Sequence, residues 1–586
     1  MNIKKKFLED IKQGLQSNNQ TILKNNLDNF SYYQLNDKEY YLVCLGFNKI
    51  GDFLKSNNLI TAKSKLINDL SLRNKFLRLE IFNFFFLNDQ KEARIKILLS
   101  LECNFDPEVV RIFYLLSKNI NDYKFFLIKT KKAIFSNKPD FNECQILISF
   151  LEQNQEFEIL GFLLAKIYKK NKSNIYILEL IAKNYFILKK YRLSKVYYKK
   201  LTLLAKNANF FLDMAIVSNY LRETDDCNRY ISLCLEMDPY NTKALALSFS
   251  VGNTKEDISK SIFSLEDAQK TKSNEVGKAP LYFAIAKIYE SQKNYAKSYD
   301  CLDVANKLKN QHVTFDIDKI KKEGDFFLNH FKYLETEPVK NTHQLSKTPI
   351  FIIGLPRSGT TLVEHILGSH EVVQHFGETS YFFKNFKFLF NVYHLNENDN
   401  LLKKNTELDY LNYGKCYLDY FSLKKNKTHF TDKMPFNFFY LGLIKKTLPH
   451  AKIIFCSRDY RDVGLSIFKN DFGLDMNFAY NQQNIISYIK VFNAIIAQWK
   501  NNLGSNLFEV NYENLIKNPE KHVSTILKFC DLDYDPDCLN FYKKKLSSDT
   551  VSTNQVTSNF YDSSVENWKN FYPYDKVFFD SLSEIK

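Results

Sequence analysis

The chain has 586 residues, which is too many for one hydrophobic core and predicts at least two folding units. Its formal net charge is +15, from 81 Lys and Arg against 66 Asp and Glu, and this balance favours an anionic ligand. The basic residues are spread along the chain and form no dense tract, so we expect no nucleic-acid partner. No stretch approaches the roughly 20 apolar residues of a membrane span, and we expect none.

The cysteines and histidines give no sign of a metal site or a disulfide framework. Ten cysteines are scattered without a Cys-x-x-Cys pair, which predicts buried or free thiols in a reducing compartment. The basic start of the chain is not followed by an apolar segment, so we expect a cytoplasmic protein. His365, His370 and His375 lie five residues apart and do not form the i, i+4 pair of a helical metal site.

Residues 1–335 are predicted to be almost entirely helical, because Pro and Gly are rare and apolar residues recur every three or four positions. Ile181–Tyr185 resembles Ile285–Tyr289, an offset of 104 residues, which is close to three periods of about 34 to 35 residues. This pattern resembles the tetratricopeptide repeat. The resemblance implies an all-α solenoid of stacked helix pairs with a groove. The sequence leaves open whether the groove binds a protein or peptide acceptor, forms a homo-oligomer interface or only supports the rest of the chain.

Residues 336–347 are polar and without a period, which predicts a linker. From residue 348 to 586 the pattern changes to strand, turn and helix. That change predicts an α/β domain with a parallel sheet.

The first strand of this domain leads into a candidate anion-binding loop. The apolar run Pro349–Ile353 predicts a buried strand, the segment Gly354–Thr361 follows, and helical spacing begins at Leu362. A Gly-containing loop before a helix N-terminus presents backbone N–H groups to an anion. The spacing matches the nucleotide P-loop, but Thr360 occupies the lysine position that a kinase or ATPase uses for the β- and γ-phosphates. The loop therefore favours a phosphosulfate over a triphosphate, with Arg357 as the fixed positive charge.

A second strand and helix predict a second phosphate contact. Ala451–Cys456 reads as a buried strand, Arg458 follows it, and Ser466 lies on the next predicted helix. Arg458 and Ser466 can close on one phosphate, because a guanidinium group makes bidentate contacts.

Together these segments resemble the sulfotransferase superfamily that uses 3′-phosphoadenosine 5′-phosphosulfate (PAPS), with the closest likeness to its tyrosylprotein branch. The resemblance implies a P-loop-like domain with PAPS as co-substrate and no metal. By this resemblance Arg458 and Ser466 hold the 3′-phosphate, and Tyr512 lies by the nucleotide. The residues implied for the 5′-phosphosulfate are Arg357, Ser358, Gly359, Thr360 and Thr361.

The same resemblance implies the catalytic residues. Glu378 matches the branch's catalytic base, and Lys433 matches its lysine at the transferring group. Ser552 and Thr553 lie in the late segment that closes over the nucleotide, and the sequence does not decide between their hydroxyls. The branch has a basic residue directly before a Trp, whereas here Asn567 precedes Trp568. One phosphate contact is therefore absent there or comes from Lys569 or Lys576.

We thus expect a sulfotransferase that moves a sulfuryl group from PAPS to a hydroxyl, with protein or peptide tyrosine as the first acceptor class. A carbohydrate or a small molecule is the alternative acceptor. There are two competing hypotheses. The first is a P-loop kinase or ATPase, which the missing lysine disfavours. The second is a catalytically inactive repeat scaffold, which the intact site residues disfavour.

Overall fold

The computed structural model describes most of the chain. The described residues are 3–63, 66–117, 120–251, 275–331, 347–390, 407–421, 423–424, 426–472, 476–544, 560 and 564–585. They divide into two compact units, residues 1–190 and residues 191–586.

The described part of residues 1–190 consists of helices joined by short turns. Asp and Asn side chains cap several helix starts; Asn36 and Glu39, for example, form a reciprocal capping box. The α-helices are Ile3–Gln16, Gln20–Leu27, Asp37–Lys49, Phe53–Lys63, Leu70–Phe86, Gln90–Cys103, Pro107–Leu115, Ile120–Ser136, Phe141–Gln153, Phe157–Tyr168 and Ile175–Ile187.

The described part of residues 191–331 continues the helical pattern, and some of the short turns in the whole helical region share one backbone feature. In these turns a non-glycine residue takes a left-handed conformation between consecutive helices: Gln155 at φ 58° and Lys189 at 59° before residue 191, and Arg222 at 58° and Lys293 at 61° after it. The α-helices here are Tyr191–Leu204, Ala208–Tyr220, Thr224–Met237, Thr242–Val251, Ala279–Ser291, Tyr295–Asn310 and Ile317–His330.

A five-stranded parallel sheet follows. Its strands are β1 (Thr348–Gly354), β2 (Val373–His375), β3 (His429–Asp432), β4 (Lys452–Ser457) and β5 (Leu507–Asn511). They lie in the order β2-β3-β1-β4-β5, and every neighbouring pair is parallel. The central strand β1 is buried from Pro349 onward, as expected of a strand covered on both faces.

Helices pack around the sheet and fix its position. One core cluster joins Ile350 and Ile352 of β1 to Ile366 of the helix that follows the loop and to Ile526 further along the chain. The α-helices are Thr360–Gly368, Tyr381–Phe390, Glu407–Tyr420, Leu441–Thr447, Tyr460–Phe468, Gln482–Leu503, Tyr512–Lys517, Pro519–Phe529, Trp568–Phe571 and Lys576–Ser583.

The helical N-terminal region and the C-terminal parallel sheet are confirmed. The tetratricopeptide identity of the helices stays a prediction, and so do the domain limits at 335 and 348, since only Lys347 of the predicted linker lies within the described residues. All ten cysteines are unpaired thiols. Within the ranges given above, no helix has the length and apolarity needed to cross a bilayer.

Candidate active site

All five strands point their carboxyl ends at one edge of the sheet, because they are parallel. In open α/β sheets, ligands bind at this edge. A residue that the sequence assigns to the site follows each strand: Arg357 after β1, Glu378 after β2, Lys433 after β3, Arg458 after β4 and Tyr512 after β5. The topology therefore gathers residues from distant parts of the chain at one location.

The loop after β1 is tightly folded. Arg357 takes a left-handed conformation at φ 72°, and Gly359 caps the following helix at φ 98°. Gly354 lies so close to β4 that a Cβ atom on it would be 2.7 Å from the Cys456 carbonyl oxygen. This helix, Thr360–Gly368, begins at the carboxyl edge of the sheet, where the N–H groups of its first turn lack partners within the helix.

Arg357 and Arg458 lie together, and Ser466 lies with them. Arg357 Nε donates a hydrogen bond to Ser466 Oγ at 2.9 Å. Arg458 Nη1 donates to the Arg357 carbonyl oxygen at 3.0 Å, and Arg458 Nη2 donates to the Ser564 carbonyl oxygen. The two strand ends thus bring together the three side chains predicted to contact phosphate groups.

The hydrogen-bond inventory of this cluster fits an anionic ligand. Arg458 Nε and Ser457 Oγ are both buried and have no hydrogen-bond partner among the residues that the structure describes. An unsatisfied buried donor is costly, and a charged one more so. A phosphate oxygen is the type of acceptor that these donors lack, so the cluster suits the phosphorylated nucleotide that the resemblance implies.

Tyr512 closes one side of the loop. Its ring lies under Gly359, where a Cβ atom would be 2.6 Å from Tyr512 Cδ2. The Arg458 guanidinium lies over the same ring, 4.6 Å from the centroid. The Tyr512 hydroxyl lies 2.9 Å from Ser564 Oγ. Tyr512 thus joins the loop, Arg458 and the C-terminal segment in one packed unit.

Glu378 and Lys433 form an ion pair on the other side of β1. Lys433 Nζ lies 2.6 Å from Glu378 Oε1, and the side chains are 1% and 34% exposed respectively. The Lys433 backbone N–H also donates to the Gly377 carbonyl oxygen at 3.0 Å. A carboxylate open to solvent therefore stands beside a buried ammonium, which is an arrangement suited to proton transfer and charge stabilisation.

Glu364 stabilises the backbone segments that carry this ion pair. Its buried carboxylate Oε1 accepts from the Gly377 backbone N–H at 2.9 Å and from Thr431 Oγ1 at 3.1 Å. Burial raises the pKa of Glu364, while the charge of Lys433 opposes that rise. Glu364 therefore fixes the turn that carries Glu378 to the end of β3.

Asp432 holds the same region together from β3. Its Oδ2 accepts from Thr379 Oγ1 at 2.7 Å and from the Tyr417 hydroxyl at 2.9 Å. A hydrogen bond thereby joins Thr379, which follows Glu378, to Asp432, which precedes Lys433. Both neighbours of the ion pair are anchored in the buried core.

Several residues named from the sequence stand apart from this geometry. Ser552 and Thr553 lie outside the described residues. Asn567 Nδ2 donates to Glu290 Oε1 at 3.0 Å, and Lys569 pairs with Glu566 at 2.7 Å. Lys576 is exposed at the surface. Over the described part of the chain, no group of three or more His, Cys, Asp or Glu side chains is arranged to hold a metal ion.

The sequence missed the supporting residues Glu364, Asp432 and Ser564. Glu364 falls within the helical run after the loop, where a charged residue is ordinarily exposed. Its partners Gly377 and Thr431 are distant in sequence, so no local pattern marks the contact. For Asp432, its position directly before Lys433 at the predicted site was the available signal.

Substitution of Gly359 tests how closely the loop packs on Tyr512. We expect Gly359→Ala to lower the free energy of unfolding by about 2–4 kcal/mol, because left-handed backbone strain and the clash with the Tyr512 ring add. Nucleotide affinity should fall with it. Thermal unfolding and calorimetric titration with adenosine 3′,5′-bisphosphate measure the two effects.

Gly504→Ala is the matched control, because Gly504 also has a positive φ of 50° but would place its Cβ atom in open space. This variant should lose stability through backbone strain alone and keep its nucleotide affinity. Equal nucleotide affinities for the two variants would contradict the assigned role of the Gly359–Tyr512 contact.

The region that contains these residues is similar to known proteins. Residues 349–536 match the model of the sulfotransferase family. An uncharacterized protein from Aquifex aeolicus (strain VF5) is 30% identical over 319 residues, which are 52% of this chain and 41% of that protein. The match therefore spans less than half of that relative's length.

Two further similarities concern proteins described as sulfotransferases. A putative protein-tyrosine sulfotransferase from Caenorhabditis briggsae is 25% identical over 238 residues, covering 39% of this chain and 83% of that protein. A sulfotransferase domain from the Synechococcus PCC 7002 olefin synthase is 20% identical, covers 39% of this chain and 90% of its own, and superposes with a TM-score of 0.29. The segment that matches the sulfotransferase family thus contains the loop after β1, Arg458 and the Glu378–Lys433 ion pair.

Proposed function

We propose that this protein transfers a sulfuryl group from PAPS to the hydroxyl group of a tyrosine in a protein or peptide. The observation that carries the proposal is the Glu378–Lys433 ion pair, with 2.6 Å between Nζ and Oε1, at the same sheet edge as the loop after β1. The match of residues 349–536 to the sulfotransferase family supports it.

The donor is expected to lie across the carboxyl ends of β1 and β4. The 5′-phosphosulfate belongs at the start of the helix Thr360–Gly368, where backbone N–H groups and the helix dipole favour negative charge. The 3′-phosphate belongs at Arg458 and Ser466, where the buried donor Arg458 Nε has no partner within the described part of the chain. This orientation leaves the sulfuryl group on the side of β1 where β3 and Lys433 lie.

The ion pair provides both parts of the chemistry. The acceptor oxygen forms a bond to sulfur while the bond between sulfur and the bridging phosphate oxygen breaks. Glu378 takes the acceptor proton, and Lys433 stabilises the negative charge that grows on the bridging oxygen. The products are a sulfate ester and adenosine 3′,5′-bisphosphate, so the atoms and charges balance without another reactant.

The assignment to tyrosine has two supports. One similar protein is described as a putative protein-tyrosine sulfotransferase. A phenol, with a pKa near 10, is also within reach of a carboxylate base that is positioned at its hydroxyl. We further propose that the helices before residue 331 form tetratricopeptide-like repeats whose groove presents the acceptor protein or peptide.

Transfer from 35S-labelled PAPS tests this function. The purified full-length chain is incubated with acidic tyrosine peptides, glycans and small phenols, and both labelled product and released adenosine 3′,5′-bisphosphate are measured. We expect label on tyrosine peptides with one equivalent of bisphosphate released. Label on glycans or phenols alone would overturn the tyrosine assignment. Binding of PAPS without transfer to any acceptor would favour an inactive scaffold.

A further inference from the structure

A lysine outside the segment that matches the sulfotransferase family lies near enough to Arg357 for the two positive charges to interact. Lys287 is on the helix Ala279–Ser291, which precedes residues 349–536 in the chain. Its side chain is exposed, and it has no hydrogen-bond or ion-pair partner among the described residues. An unpaired lysine beside a site for an anion is available to contact it.

Glu290, on the same helix as Lys287, shows which parts of the protein this side of the helix contacts. Glu290 lies one turn further along, so the two side chains share a helix face. Glu290 Oε1 accepts a hydrogen bond from Asn567 Nδ2 at 3.0 Å and forms an ion pair with Lys469 Nζ. The face that carries Lys287 is thereby held against the C-terminal segment and against Lys469.

Lys469 connects this face to the predicted phosphate contacts. It follows the helix Tyr460–Phe468 and lies one turn beyond Ser466. Ser466 Oγ accepts from Arg357 Nε. Lys469 Nζ also lies over the Phe571 ring, 5.2 Å from the centroid. The end of this helix thus adjoins both Arg357 and the Lys287 face.

The electrostatics show a surplus of positive charge at this location. The pKa of Lys287 is lowered by desolvation first and then by the charges of Arg357 and Lys469, so its ammonium is partly enclosed although its side-chain surface is exposed. Burial also lowers the pKa of Lys469, against the opposing effect of Glu290. Asp471, another nearby carboxylate, is paired with Lys309 at 2.9 Å. A second anion would relieve the repulsion among the cations.

The position of these cations along the sheet indicates which phosphate of a nucleotide they would bind. The Glu378–Lys433 pair follows β2 and β3, whereas Ser466 and Lys469 follow β4, on the opposite side of β1. The cations near Lys287 therefore lie away from the reacting group. The site also lacks a basic residue at Asn567, where the resemblance implies a phosphate contact.

We infer that Lys287 completes the binding site for the 3′-phosphate of the nucleotide, so that the helical region before residue 331 supplies a cation to the sulfotransferase-family domain. This inference rests on the proposed function, because it requires a nucleotide with a 3′-phosphate. It adds a residue that lies outside the family segment and that no resemblance implied.

Calorimetric titration of the full-length chain tests the inference with two nucleotides that differ only in the 3′-phosphate. Lys287→Ala should bind adenosine 3′,5′-bisphosphate about 10- to 100-fold more weakly, the range of one hydrogen bond to a charged group. Its affinity for adenosine 5′-monophosphate should change less than about twofold, because a point charge acts mainly on the phosphate that it contacts. Lys287→Arg should restore most of the lost affinity.

Lys307→Ala is the matched control. Lys307 lies on the next helix, Tyr295–Asn310, where it is exposed and pairs with Asp303 of the same helix. It should bind both nucleotides as the wild type does. An unchanged bisphosphate affinity in Lys287→Ala, or an equal loss for both nucleotides, would overturn the inference and leave the proposed function intact. A wild-type chain that does not bind the bisphosphate would overturn both.

Discussion

Replacement of Glu378 by glutamine is expected to lower the rate of sulfuryl transfer about 10²–10⁴-fold while the affinity for adenosine 3′,5′-bisphosphate stays unchanged. The amide keeps an oxygen that can accept the hydrogen bond from Lys433, which is 2.6 Å in the wild type. It cannot take the proton from the acceptor hydroxyl. Because Glu378 is 34% exposed, the substitution leaves the buried core intact.

Steady-state transfer from labelled PAPS gives the rate, and calorimetry gives the nucleotide affinity. Glu371→Gln is the control, because Glu371 is an exposed glutamate just before β2 and should show wild-type turnover. Loss of nucleotide binding in Glu378→Gln would contradict its role as a base, since it would place the carboxylate in the nucleotide site.

Replacement of Lys433 by methionine should lower turnover by about 10²–10³-fold, because a fixed cation is removed from the point where charge develops. It should also lower the free energy of unfolding by about 1–3 kcal/mol, because the Glu378 carboxylate loses its charged partner. The Lys433 side chain is only 1% exposed, so methionine keeps most of its apolar packing. Turnover and urea unfolding are the two measurements.

Lys500→Met is a matched control. Lys500 also pairs with a glutamate, Glu509, at 2.7 Å, but the two side chains are 44% and 42% exposed. An exposed pair contributes little to stability, so we expect wild-type turnover and a change in unfolding free energy within about 1 kcal/mol. If Lys433→Met keeps wild-type turnover, the charge that develops on the leaving oxygen is stabilised by another group.

The part of the site that was predictable from sequence is the part that local patterns encode. An apolar run followed by Gly354 predicted β1 and its loop, and a second run followed by Arg458 predicted β4. Both strands exist, and their ends meet because β1 and β4 are adjacent and parallel. Local strand and turn chemistry determined these elements, and tertiary packing did not override it.

The remaining contacts depend on pairings that no local pattern reveals. Glu378 and Lys433 were assigned by resemblance alone, and their contact arises because β2 and β3 pair in register. Glu364 is buried although a glutamate on a short helix ordinarily faces solvent. Lys287 and its helix reach the site only through the folding of the helical region, which periodicity predicts as helix without giving its neighbours.

The conformation of several turns in the helical region was also not predictable from sequence. The repeat period predicted short turns between helices, and short turns are present. Gly51, Asn18 and Asn88 take the left-handed conformation in three of these turns, as expected, but the left-handed residues of four others are Gln155, Lys189, Arg222 and Lys293, which do not ordinarily mark such a conformation. At these four turns no residue type favours the left-handed conformation, so sequence alone gave no signal for it.

A crystal structure of the chain with adenosine 3′,5′-bisphosphate would decide whether one nucleotide bridges the two strand ends. We expect its 5′-phosphate at the N-terminus of the helix Thr360–Gly368 and its 3′-phosphate within hydrogen-bond distance of Arg458 and Ser466. A bound nucleotide that contacts neither group, or guanidinium groups of Arg357 and Arg458 that turn away from it into solvent, would contradict the account.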